Sequence, residues 1–142
     1  MGVTIHSKNN SIDLGYGGFN NLRTKVAELA ADDIFEHYKK LSDSMYLIGD
    51  SRKAFFEVYD KKITEISEAH NGEMDGILHF LYASDCEAEM PVKVLKQIYE
   101  VIKDYDDNIL YGYVGRPDCV KFKDFKELVK DCIDSNCSME WY

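Results

Sequence analysis

The chain has 142 residues, 45% of them hydrophobic and 13% aromatic, and its 17 basic and 26 acidic side chains give a formal net charge of −9. A chain of this length buries roughly 68 to 70% of its unfolded surface in one core, and this composition is far from that of a disordered segment, so one domain spanning 1–142 is expected. The negative charge disfavours nonspecific binding to nucleic acid or to an anionic membrane and favours a basic protein surface.

In chain order, Met1-Gly2-Val3-Thr4 has neither the basic region nor the apolar run of a secretory leader. The protein is therefore expected in a reducing cytoplasm, with Cys86, Cys119, Cys132 and Cys137 as free thiols. No apolar run reaches the roughly 18 residues that a membrane span needs. Val3 to His6 alternates weakly and suits a short edge strand, and Ser7 to Ser11 reads as loop. The glycines of Gly15-Tyr16-Gly17-Gly18 precede a helix in which Phe19, Leu22, Val26 and Leu29 recur three and four apart. Asp32 or Asp33 caps a second helical piece bearing Ile34, Phe35, Tyr38 and Leu41, and the two pieces form one bent helix or two.

Asp50 or Ser51 starts the clearest helix, whose stripe is Phe56, Tyr59, Ile63 and Ile66 and whose left-handed stop is Asn71-Gly72. Asp75 starts a short helix through Ile77, Leu78, Phe80 and Leu81 that is apolar nearly all round, which predicts a central position. Pro91 suits the first turn of a helix with Val94, Leu95, Ile98, Val101 and Ile102 on one face. Ile109 to Cys119 contains Gly112, Gly115 and Pro117 and reads as irregular, with Tyr111, Tyr113 and Val114 packed inward. The last helix runs from about Lys121 through Phe122, Phe125, Leu128, Val129 and Cys132, and the tail from Ser138 to Tyr142 suits a strand that pairs with the amino-terminal one. The sum is a mainly α domain of five to six helices with a small two-stranded sheet joining the tails.

Two segments carry chemistry. Ser84-Asp85-Cys86-Glu87-Ala88-Glu89 places three carboxylates and a thiol within five residues, just before the helix that Pro91 opens. Carboxylates there can cap that helix, or accept hydrogen bonds from a base edge, a sugar hydroxyl or a partner's arginine, or gather a hard cation. The spacing is not that of an EF-hand, no second acidic motif completes it, and Cys86 lacks an adjacent base other than His79, so no metal and no cofactor is expected. The glycine segment is the complement: Gly17 and Gly18 permit close approach to a helix start, Arg23 can reach the same anion, and Tyr16, beside Phe19, can stack on a base. Arg116 is a further candidate ligand contact. Oligomerisation is open, since ten tyrosines suit a homo-oligomeric interface.

The start Tyr16-x-x-Phe19-x-x-Leu22-Arg23 and the central Ser84-Asp85-Cys86-Glu87-x-Glu89-Met90 resemble a group of small proteins of bacteria and their phages that share a Ser-Asp-Cys-(Asp/Glu)-x-Glu core. Members commonly have His before the Ser and Gly inside the acidic run, where this chain has Ala83 and Ala88. The resemblance implies a phage or prophage context, in which small proteins often counter host defence. Together these residues point to a non-enzymatic binding protein that sequesters a nucleotide-derived defence signal. Gly17, Gly18 and Arg23 would hold its phosphate, Tyr16 its base, and Asp85, Glu87 and Glu89 its base or ribose donors. The alternatives are an acidic inhibitor docking on a basic host protein, and a small metal- or thiol-dependent hydrolase.

Overall fold

A computed structural model of the chain describes residues 2–111 and 119–142. Val3 and Ile5 point inward from β1 (Gly2–His6) and Leu14 from β2 (Ser11–Gly15), and the two strands form an antiparallel hairpin with Val3 opposite Leu14 and Ile5 opposite Ile12. The loop expected over Ser7 to Ser11 ends at Asn10, and the residues after it form a strand not expected from the sequence. Ser11-Ile12-Asp13-Leu14 has the polar–apolar alternation of a strand, over too few residues to stand out alone. The hairpin turn is tied down from far along the chain, where the Asp131 carboxylate accepts hydrogen bonds from the Ser7 hydroxyl and from both N–H groups of Asn9.

The carboxy-terminal tail completes the sheet. β3 (Ala88–Met90) and β4 (Met139–Trp141) give the order β2-β1-β4-β3, all antiparallel. The two tails pair as expected, but the sheet has four strands because β2 and the end of the acidic run join it.

Six α-helices lie among the described residues. α1 (Tyr16–Ala30) buries Phe19, Leu22, Arg23, Val26 and Ala27 and sits centrally, touching the hairpin and three other helices. Ala31 is extended (φ −169°, ψ 151°) and divides it from α2 (Asp32–Lys39), which continues as a 3₁₀ stretch over Lys40–Tyr46. α3 (Gly49–Ala69) stops at Asn71 and Gly72, both left-handed (φ 54° and 75°), as their identities predict. α4 (Asp75–Tyr82) is buried through Gly76, Ile77, Leu78, Phe80 and Leu81. Pro91 stands at the N-cap of α5 (Val92–Ile102), one residue earlier than expected, and α6 (Phe122–Ser135) closes on a left-handed Asn136. The fold is mainly α with a small sheet. No helix among the described residues is long and apolar enough to cross a membrane. Tyr111 is buried, whereas Gly112, Tyr113, Val114, Gly115, Arg116 and Pro117 lie outside the described residues.

The start of α1 is fixed by Gly18. A Cβ there would collide with the Tyr111 carbonyl, while one on Gly17 would meet nothing within 4 Å. Gly18→Ala should therefore destabilise the protein by about 1–3 kcal/mol, as overpacking does. Gly17→Ala should stay within about 1 kcal/mol of the parent, on the stabilising side, because alanine favours the helix. Urea unfolding of both variants checks the contrast; equal stabilities would refute the contact at Gly18.

Candidate ligand-binding site

Helical spacing puts Tyr16, Phe19, Asn20 and Arg23 on one face of α1. That face forms one wall of a cavity of about 400 Å³. The opposite walls are Tyr38 of α2, Phe56, Tyr59, Asp60 and Ile63 of α3, and the chain from Leu81 to Asp85, where α4 ends. This size is within the range of small-molecule sites, and the lining combines aromatic faces with a few charged groups.

Arg23 is the unusual member. It is only 5% exposed, and its guanidinium lies 4.4 Å from the Phe19 ring centre, 5.2 Å from that of Trp141 and 5.6 Å from that of Phe80. Nη2 donates to the Ala83 carbonyl at 3.0 Å and to the Ser84 carbonyl at 3.4 Å, but the buried Nε has no partner. Burial lowers the guanidinium pKa from its usual value, against the opposing pull of Tyr38 and Asp85. No carboxylate forms an ion pair with it among the described residues. A desolvated cation without a carboxylate partner in a cavity wall is chemically suited to a ligand acceptor.

The loop after α4 is shaped by the same contact. The Ser84 carbonyl also accepts from the Trp141 indole N–H at 2.9 Å, and the Ser84 hydroxyl accepts from the Cys86 N–H at 3.1 Å. This turn sets Asp85 on the rim beside Tyr16. Desolvation, then the nearby Cys86 and Asp85, raise the Tyr16 phenol above its ordinary pKa. Tyr16 itself is 37% exposed, so its ring is reachable from solvent.

Behind the cavity lies a hydroxyl–imidazole network. His37 Nε2 is 3.0 Å from the Tyr59 carbonyl, which only accepts, so Nε2 carries the proton and Nδ1 accepts from the Tyr82 hydroxyl at 2.6 Å. Tyr59 donates in turn to the His37 carbonyl at 3.0 Å, and its ring stacks on the imidazole at 3.8 Å. Burial pushes the Tyr59 phenol up to about 12 and the Tyr82 phenol higher still, so both remain protonated donors at neutral pH. The imidazole is held below its ordinary value, chiefly by burial, and stays neutral.

Of the residues nominated from sequence, Tyr16, Phe19, Arg23, Ser84 and Asp85 come together on this one cavity. Gly17 and Gly18 do not line it. Glu87 and Glu89 do not line it either, and Arg116 lies outside the described residues. The acidic run also does not cap α5, which has no side-chain cap, because after Cys86 the chain extends to pair with β4. Ala88 and Met90 turn toward the core, and Glu89 is left exposed opposite Glu140. Tyr38, Phe56, Tyr59, Asp60 and Tyr82 join the site without having been singled out. Their signal is weak but present: a tyrosine on an otherwise aliphatic stripe brings a hydroxyl that must find a partner. Among the described residues no three His, Cys, Asp or Glu side chains are grouped to hold a metal ion.

The neutral imidazole sets a pH dependence. A base whose folded pKa lies below its ordinary 6.5 binds its proton more readily unfolded, so its contribution is complete above that value and declines as pH falls toward the folded pKa. Unfolding free energy should fall as pH drops below about 6.5, and His37→Gln should flatten this slope. An unchanged slope in denaturant titrations would place the acid sensitivity elsewhere. Tyr82→Phe should cost about 1–3 kcal/mol by stranding Nδ1. Compared with protein-family models, with curated proteins and with solved structures, the chain has no match.

Proposed function

We propose that this protein is a non-enzymatic binding protein whose pocket takes a nucleotide-type ligand. The observation that carries this reading is the buried Arg23, with no carboxylate paired to it among the described residues, in the wall of an aromatic cavity rimmed by Asp85. A planar base suits the faces of Tyr16 and Phe56, and its amino or imino edge, or a ribose hydroxyl, suits the Asp85 carboxylate. An acceptor on the ligand suits Arg23. Together with the phage-type motif over Ser84–Met90, this makes sequestration of a nucleotide-derived defence signal in the host cytoplasm the favoured role.

A second reading draws on Glu87 and Glu89. Both are exposed outside the cavity, and Glu89 lies on the edge strand β3 beside Glu140, which gives an acidic surface suited to a basic host protein. That reading predicts salt-sensitive binding to a protein that the Glu87→Gln, Glu89→Gln double variant loses.

Isothermal titration calorimetry against linear and cyclic nucleotides and their nucleosides tests the first reading. Binding is expected, and Asp85→Asn should weaken it on the order of tenfold or more, the effect of losing a charged hydrogen bond. Glu89→Gln should leave it unchanged. No binding by any nucleotide or nucleoside, or equal losses in the two variants, would sink it.

A further inference from the structure

A second cavity, of about 630 Å³, adjoins the first and shares Asn20, Tyr38, Leu41 and Phe56 with it, so the two form one elongated groove between α1 and α3. Their charges differ. The first compartment sets Arg23 against Asp60 and Asp85, whereas the charged groups lining the second are Lys39 and Arg52, with no carboxylate among them. In a chain of net charge −9, this lining is locally cationic, with Glu36 outside it as the one carboxylate paired to either cation among the described residues.

Arg52 is also held in place. It lies in the first turns of α3, where Nη1 donates to the Ser44 carbonyl at 2.9 Å and the guanidinium lies 5.0 Å from the Phe56 ring centre. The rest of its donor fork has no hydrogen-bond partner among the described residues, which leaves it free for a bidentate acceptor. Lys39 lies 4.1 Å from the Phe35 ring centre and pairs with Glu36 at 3.0 Å; that ion pair is solvent-exposed, a type that contributes little and that a phosphate can displace.

We infer that the second compartment is the phosphate seat of the same ligand, with Arg52 and Lys39 as its anion-binding residues. This rests on the nucleotide reading and deepens it: the ligand is a nucleotide with its phosphate about one compartment away from its base, not a free base or nucleoside. The inference also moves the phosphate from Gly17 and Gly18, which lie off the groove, to the far side of Tyr38 and Phe56.

The test is calorimetry at low ionic strength with three probes, adenosine, ADP and inorganic pyrophosphate, against the wild type and an Arg52→Gln, Lys39→Ala double variant. Glutamine keeps a donor for the Ser44 carbonyl, and a thermal melt verifies folding. ADP should bind the wild type on the order of tenfold or more tighter than adenosine. The gap should close in the double variant, and pyrophosphate should bind weakly to the wild type alone. Equal affinities for ADP and adenosine, or a gap that survives in the double variant, would overturn the phosphate seat and leave the base pocket standing. Pyrophosphate binding lost in the double variant, with no added affinity from adenosine in ADP, would overturn the base reading and leave the seat. Binding by none of the three would overturn both.

Discussion

The burial of Arg23 is the constraint on which the rest of the architecture depends. A guanidinium 5% exposed, with no carboxylate paired to it among the described residues, is costly to desolvate, and three features offset that cost. Phe19, Phe80 and Trp141 surround it with ring faces, from α1, α4 and β4. The carbonyls of Ala83 and Ser84 accept from it, and Asp85 supplies a negative field at the rim. Each partner comes from a different part of the chain, so the guanidinium can be satisfied only when the first helix, the fourth helix, the acidic turn and the last strand are in place together. Local helix propensity has no means of bringing about that convergence.

The same contact explains why the acidic segment is ordered as it is. Ser84 presents its carbonyl to both Arg23 and Trp141, which commits the chain to a turn at this point, and the following residues then run alongside β4. Asp85 is at the turn and faces the cavity; Glu89 is in the strand and faces solvent. Two carboxylates of one charged run thus do two different jobs, because Asp85 belongs to the turn and Glu89 to the strand that follows it. The segment is less a cap for α5 than a hinge between pocket and sheet.

Much of this was legible in the residues. The stripes of α3, α5 and α6, the Asn71-Gly72 stop and the central place of α4 follow from helical period and left-handed preference, both local properties. The cavity wall Tyr16, Phe19, Arg23 follows from the same period, which also turns Gly17 and Gly18 away from it; choosing glycines by residue type alone overlooks that rotation. Glu89 was less legible, since its orientation is set by pairing with Met139–Trp141, some fifty positions away. Tyr38, Tyr59 and Tyr82 were hidden for a related reason. Each is an ordinary core residue on its own helix, and only the packing of three helices brings His37 between the hydroxyl of Tyr82 and the carbonyl of Tyr59.

That network also accounts for the groove's being open. Phe56 and Ile63 belong to the apolar stripe of α3 but are only half-buried, with Tyr59 and Ile66 as the helix's buried residues. At roughly 25 cal/mol per Å² of apolar surface, closer packing of α3 on α1 would be favourable by itself. The geometry around His37 opposes it: the imidazole is bonded at both nitrogens, Tyr59 is bonded back to the His37 carbonyl, and its ring is stacked on the imidazole. Moving α3 inward would break directional hydrogen bonds in a buried setting, where an unpaired group costs about as much as a lost side-chain contact gains. The polar cluster therefore acts as a spacer, and the cavity in front of it is a product of hydrogen-bond satisfaction behind it.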